Sequence, residues 1–471
     1  MTGTVRKLTD ESLQASFSPD ASQIAFRKGD SFWLMGPNGD DQRRFMALEN
    51  GFDIQGPKWS PDGRRLLYLK RKLGGEESSI EARSLADGST TVVLASKGLL
   101  DFWWTSDGRL IYTQAEDGNQ TTYGLWEASI DAASARAAGE PRRLTRWVGF
   151  SPGFVSVSAD GRRIATTKGY SQSDIYTAEF DAGETKLKTP RQLTLDTRSD
   201  LPAGWTARNE ILFFSDRNGA FNIFKQAASA QNAESLVIGQ EDARDPQMTR
   251  DGKWLLYTLW PDSKQSPRTR SVRVMRVAPS GGAAESVLDA RGTFASGITW
   301  DRRKGFPDFR CTSAMASCIL AEAEEREIVF TAFDPLQGRG PEVARVRTSP
   351  EEFFWDLSPD ASQLVYGEFA WGAGDKLSVL TIRDRSTREV PLKTWTNLNS
   401  VSWSNDGQSF FLTTLRREGS TLLRASTSGK VDVLLEQNSR WMLNPRVSPD
   451  GGLLAFAVSA TDSNVWLIET R

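Results

Sequence analysis

The chain has 471 residues, enough for one large core or two, with 58 basic and 60 acidic side chains and a formal net charge of −2. That balance excludes an electrostatic footprint for nucleic acid or an anionic membrane surface, and no apolar run is long enough to span a bilayer. The sequence has no histidine and only two cysteines, Cys311 and Cys318, so the usual general base, the usual metal ligand and a thiolate cage are all missing and no metal or other cofactor is expected.

The first residues, "MTGTVRKLTDESLQ", lack the apolar stretch of a signal peptide. The expectation is a chain that is cytoplasmic as encoded, or a mature or excised part of a longer protein. Residues 5–8, "VRKL", read as a short strand. A ten-residue skeleton then begins and returns along the whole sequence. It occurs as "FSPDASQIAF" (17–26), "WSPDGRRLLY" (59–68), "WTSDGRLIY" (104–112), "VSADGRRIAT" (157–166), "WTARNEILFF" (205–214) and "MTRDGKWLLY" (248–257). Further copies are "LSPDASQLVY" (357–366), "WSNDGQSFFL" (403–412) and "VSPDGGLLAF" (447–456). Successive copies lie 42 to 53 residues apart, except for 109 residues between Thr249 and Ser358, where "FRCTSAMASCILAEAEEREIVF" (309–330) supplies a tenth, degenerate unit.

The chemistry of each copy is that of a strand, a tight turn and a second strand. Proline presets φ, aspartate bonds its own backbone, glycine accepts positive φ, and apolar runs such as "LLYL" and "ILFF" follow. Second and third strands ("SDIYTAEF", "RQLT") complete about four per unit. A strand-type period of this length predicts an all-β protein, a β-propeller of ten four-stranded blade repeats over 1–471. Ten exceeds the usual blade number of one ring, about four to eight. Two packed rings dividing near 196–246 are therefore preferred, with one ten-bladed ring as the alternative. Residues 5–8 are expected to close the last blade, 445–471, by pairing with its outer edge.

The "W-S-P-D-G-x-x-I-A-F" units resemble TolB-like, or WD40-like (PD40), propeller repeats over nearly the whole chain. The stretches "DLPAGWTARNEILFFSDRNGAFNIFKQA", "VFTAFDPLQGRGPEVARV" and "SNVWLIE" further resemble the C-terminal propellers of bacterial receptor-type serine/threonine kinases and of winged-helix regulators. The resemblance implies an extracytoplasmic sensor or interaction module in a signalling system. The kinase catalytic motifs are absent from this sequence.

One segment offers a competing reading. Gly149-Phe150-Ser151-Pro152-Gly153 fits the G-x-S-x-G pattern of a hydrolase nucleophile elbow. In the repeat frame, however, Ser151 falls between blades, no strand-to-helix turn is present, and there is no histidine to activate it. It reads as a loop. The leading function is thus a non-catalytic propeller that recognises a protein, peptide or small ligand. A histidine-free hydrolase or lyase using carboxylates is the alternative.

Two further expectations concern particular residues. Cys311 and Cys318 flank the degenerate turn and would face each other across a hairpin, so a disulfide is expected in an oxidising compartment. Among the sixteen tryptophans, Trp59, Trp104, Trp205 and Trp403 fall in the repeat frame and should pack between blades. Trp33 and Trp466, on second strands, are expected in the core as well. Trp147, Trp260, Trp371, Trp395 and Trp441 fall in variable loops on the face opposite the turns. With Asp101 and Arg146, these five are the candidate binding residues, Trp260, Trp371 and Trp441 foremost.

Overall fold

The computed structural model describes residues 6–10, 12–47, 49, 52–72, 77–115, 123–131, 133–145, 151–181, 186–196, 198–261, 269–294, 305–312, 314, 317–324, 326–348, 353–368, 376–392, 395–416 and 418–469. Every regular element among them is a β-strand, and no helix there is long and apolar enough to cross a membrane. Ten strands begin the ten repeats. They are β1 (Ser12–Phe17), β2 (Phe52–Trp59), β3 (Leu99–Trp104), β4 (Ser151–Val157) and β5 (Asp200–Trp205). The others are β6 (Asp242–Met248), β7 (Asp308–Arg310), β8 (Phe353–Leu357), β9 (Leu398–Trp403) and β10 (Trp441–Val447). Each starts an antiparallel sheet, and seven of the nine sheets have four strands in sequence order.

The turn after each of these strands explains why the repeat exists. In the first, the Ser18 hydroxyl donates to Asp20 Oδ1 at 2.6 Å, the same oxygen accepts the Ser22 amide at 3.1 Å, and the Gln23 amide donates to Ser18 Oγ at 2.9 Å. Ser60–Asp62, Ser158–Asp160, Thr249–Asp251, Ser358–Asp360, Ser404–Asp406 and Ser448–Asp450 repeat the hydroxyl–carboxylate bond. Two short side chains thus satisfy the backbone of a tight reversal with no help from the rest of the fold. These bonds, Ser18's first, hold the Asp20 carboxyl at about 2.

The described residues form two compact units, unit 1 from 6–170 and 462–469 and unit 2 from 171–261 and 269–461. The division lies at 170/171 and 461/462, outside the 196–246 interval read from the sequence. Two strands are seventeen residues long, Arg163–Glu179 and Leu453–Glu469, and they pair in one sheet that has β4 at one edge and β10 at the other.

Unit 1 holds the blades of β1 to β4, packed in succession on shared apolar cores such as Leu69, Ile80, Phe102, Trp104 and Tyr112. Unit 2 holds the blades of β5 to β10. There β5 lies beside β6, β6 beside β7, β8 beside β9, β9 beside β10, and β10 beside β5. The β7 and β8 blades share the core of Ile319, Phe330, Phe353, Trp355 and Leu364. Within unit 2 the six blades thus follow one another in chain order, and β10 lies beside β5.

Closure by residues 5–8 is corrected by the structure. Residues 6–8 are not a strand, and residue 5 lies outside the described residues. Leu8 packs on Ile24, Phe26 and Met35 of the first blade, and Arg6 Nη2 donates to the Asn38 carbonyl at 2.8 Å. In unit 1 the end of the chain instead meets Arg163–Glu179: Ile468 packs with Ile111, Val155 and Ile164, and Arg163 pairs with Glu469 at 3.5 Å. Trp466 is 44% exposed rather than core, whereas Trp33 packs on the Ile24–Phe26–Met35 cluster.

Candidate functional site

The candidate loop residues sort into three groups. Trp147, Trp371 and Arg146 lie outside the described residues. Trp260 is a correction. It is 2% exposed, its indole N–H donates to Thr258 Oγ1 at 3.1 Å, and the Arg244 guanidinium lies 5.7 Å from its ring. A side chain so enclosed is a blade-end plug, because a free indole of that size would leave a large apolar area in water. Trp441 and Trp395 are half-buried, the first against Leu201, Leu443 and Ala457, the second against the β8–β9 core with Arg416 over its ring at 5.3 Å.

Asp101 is buried and fully used inside unit 1. Lys58 Nζ donates to its Oδ1 at 2.6 Å and to the Phe102 carbonyl at 2.6 Å, and the Val155 amide donates to its Oδ2 at 2.9 Å. Lys58 also lies over Phe102 and Trp103, 5.0 and 5.2 Å from their centroids.

Lys58 exposes a pattern. It stands two residues before the hydroxyl of its turn, and the residue at that position repeatedly reaches the next innermost strand. Ser16 Oγ donates to the Pro57 carbonyl at 2.9 Å, and Gln247 donates to the Phe309 carbonyl at 3.0 Å while accepting the Cys311 amide at 2.9 Å. Asp356 Oδ2 accepts the Trp403 amide at 2.8 Å, and Arg446 Nε donates to the Ala203 carbonyl at 3.1 Å. The repeat-frame tryptophans add to these latches: Trp59 donates to the Ser16 carbonyl at 3.1 Å and Trp205 to the Arg446 carbonyl at 3.0 Å. The latch supplies partners to backbone groups of the innermost strands, where no further strand can reach them.

In unit 2 the latch position and the residue two before it gather charge. From β6 comes Asp245, from β7 Asp308 and Arg310, from β8 Asp356 and from β10 Arg446. Arg310 is the hub, with Nη1 donating to Asp308 Oδ1 at 2.5 Å and Nε to Asp356 Oδ1 at 3.0 Å. Burial opposes its charge, but Asp308 and Asp356 outweigh burial and hold its pKa above the ordinary value. Among the described residues Arg446 has no carboxylate within ion-pair distance; burial, and then repulsion from Arg310, pull its pKa down to about 10. Among the same residues the side chain of Asp245 is bonded by the Thr258 hydroxyl alone, at 3.3 Å, and burial, then the Asp308 carboxylate, push it up to about 7. Among the described residues, then, one cation and one carboxyl group of the cluster have no direct counter-ion.

A second buried carboxyl, Asp200 at the start of β5, is held by Arg217 Nη2 at 2.8 Å. Burial still raises it to about 6. The Arg217 guanidinium lies 5.3 and 4.5 Å from the Phe213 and Phe224 rings and also pairs with Asp196 at 2.9 Å, which makes it a structural clamp. Among the described residues no group of histidine, cysteine and carboxylate side chains is placed to hold a metal ion. Cys311 and Cys318 are disulfide-bonded, with Cα atoms 4.4 Å apart, directly after Arg310.

The residues that sequence reasoning missed were legible in one column. Lys58, Gln247, Arg310, Asp356 and Arg446 align two residues before the turn hydroxyl, a polar side chain at the same place in each repeat. Loop tryptophans drew the attention instead.

No family profile matches the chain, and no curated protein sequence matches it. Solved structures do. TolB from Acinetobacter baumannii is 13% identical over 69% of this chain and 61% of its own, with a TM-score of 0.23. A second TolB structure, from Agrobacterium tumefaciens, is 18% identical over 59% of this chain and 80% of its own, with a TM-score of 0.23. The tricorn protease is 10% identical over 94% of this chain and 46% of its own, with a TM-score of 0.28. The chain thus spans under two thirds of the Acinetobacter TolB and less than half of the tricorn protease.

Proposed function

We propose that this chain is a non-catalytic propeller module that recognises a protein, peptide or small ligand, with the six-bladed unit as the binding part. The observation that carries this reading is the mixed-charge cluster of Asp245, Asp308, Arg310, Asp356 and Arg446. It draws on four blades of unit 2, those of β6, β7, β8 and β10, and among the described residues neither Asp245 nor Arg446 has a direct counter-ion. The sequence adds that no histidine is present to serve as a base. The resemblance to receptor-kinase propellers adds a place in a bacterial signalling system. The Cys311–Cys318 bridge favours a location outside the reducing cytoplasm.

The carboxylate-enzyme reading keeps one specific support, the Asp245 carboxyl poised near neutrality beside Asp308. A random peptide display library selected on the immobilised chain separates the two. Enriched sequences, together with background turnover of ester, peptide and lyase substrates, are the expected result. Turnover that disappears in Asp245→Asn would sink the interaction reading.

A further inference from the structure

We propose that the centre of unit 2 takes a carboxylate group, docked on the guanidinium of Arg446. The inference rests on the interaction reading above and names the chemistry that the site selects.

Arg446 spends two of its three nitrogens on the backbone, Nε on the Ala203 carbonyl at 3.1 Å and Nη1 on the Pro445 carbonyl at 3.0 Å. Those bonds fix the plane and direction of the guanidinium but leave its charge unmatched. A latch needs only one such donor, as Ser16 and Gln247 show at the same position of their repeats. A side chain that also carries charge, held in place by backbone carbonyls, is a pre-organised receptor for a planar anion.

The surrounding groups decide what that anion can be. Facing Asp245 are Arg244 from its own strand, Thr258 from the next strand of its sheet, Asp308 and Arg310 from β7, Asp356 from β8 and Arg446 from β10. Arg244 is engaged by Asp242 at 2.6 Å, and Arg310 by both Asp308 and Asp356. The balance then lies between Arg310 and Arg446 on one side and Asp245, Asp308 and Asp356 on the other. With Asp245 protonated the five groups sum to zero, and one added negative charge on Arg446 is tolerable. With Asp245 ionised the sum is already −1, and an anion would meet repulsion. A protonated Asp245 can also donate its O–H to a ligand oxygen. A singly charged carboxylate suits this geometry, whereas a doubly charged phosphate would add a second uncompensated charge.

The carboxylate can come from a peptide C-terminus or from an acidic side chain. Three blocked peptides titrated calorimetrically into the full chain distinguish these sources. N-acetyl-triglycine offers a terminal carboxylate, N-acetyl-Gly-Glu-Gly amide offers a side-chain one, and N-acetyl-triglycine amide offers none. At least one carboxylate peptide should bind about tenfold more tightly than the amide, and about tenfold more tightly near pH 6 than near pH 8. Arg446→Gln should abolish the preference for carboxylate, Arg446→Lys should restore part of it, and Asp245→Asn should flatten the pH dependence. Equal binding of acid and amide, unchanged binding in Arg446→Gln, or no heat from any peptide at millimolar concentration overturns the inference. Library-selected peptides that bind regardless of their carboxylates would overturn it too while leaving the interaction reading intact.

Discussion

The innermost strands of the two units use the same repeat positions in opposite ways. In unit 1, Lys58 and Asp101 occupy the second and fourth places before a turn hydroxyl, and they consume each other. Every oxygen of Asp101 has a partner within the unit, and Lys58 is covered by two aromatic rings. In unit 2 those places hold Asp245, Asp308, Arg310, Asp356 and Arg446, and the account does not close. Arg310 is held by two carboxylates, while among the described residues Arg446 and Asp245 have no direct counter-ion. A buried charge with a matched partner is architecture. A cation and a carboxyl group without direct counter-ions are a place for something else.

Mutations can break this contrast or sharpen it. The largest effect is expected at Lys58→Met, which strands the Asp101 carboxylate at 8% exposure without its cation. A loss of about 3 to 5 kcal/mol in calorimetric melting is the expected cost. A loss below about 1 kcal/mol would mean that the unit 1 pair is not the closed account described. Next comes the double substitution Cys311→Ser/Cys318→Ser in unit 2. It should cost roughly 2 to 3 kcal/mol, the chain-entropy value for so short a loop. Under reducing conditions the parent protein should melt like the variant.

Arg446→Gln should be much milder than Lys58→Met, within about 1 kcal/mol of the parent, because the amide can keep the latch to Ala203 while removing an unmatched buried charge. A melting penalty as large as that of Lys58→Met would place Arg446 in the architecture. The smallest expected effect is in pH dependence. Asp245 has its pKa raised from 3.8 to about 7 in the folded chain, so the folded state binds the extra proton between those values. Stability from this group is therefore fully present below about pH 4 and is lost as pH rises through 7. Asp245→Asn should gain on the parent between pH 5 and pH 8, and an unchanged difference across that range would remove Asp245 from the titrating cluster. The turn aspartates act in the opposite sense and at lower pH: the depressed pKa of Asp20 gives stability that fades as pH falls from about 4 towards 2, and Asp160 and Asp450, also lowered, act in the same direction.

Most of the fold was written locally. A Ser/Thr-x-Asp turn satisfies its own backbone, so eight such copies, a ninth at Thr206 without the aspartate and one degenerate unit revealed the ten blades. Trp59 and Trp205 fell between blades as their frame required. The loop tryptophans were less legible, because the same indole at a blade end can be a plug or an anchor. Trp260 became a plug through Thr258 and Arg244, and that depends on what packs around it rather than on its neighbours in the chain.

By itself the sequence determined the repeat, the strand-and-turn unit, the absence of histidine chemistry and the opposition of Cys311 to Cys318. Each follows from interactions within about ten residues or from composition alone. Only the tertiary structure decided how the chain ends, with Leu8 kept on the first blade and the last strand running beside Arg163–Glu179. It also decided which polar residues are spent and which are free. Asp101 and Asp245 stand at the same place in their repeats. The first has a lysine two residues before the turn of the preceding blade; the second has no such lysine and faces Asp308 instead. Partners brought from other blades set the charge balance at the centre, and no local pattern encodes them.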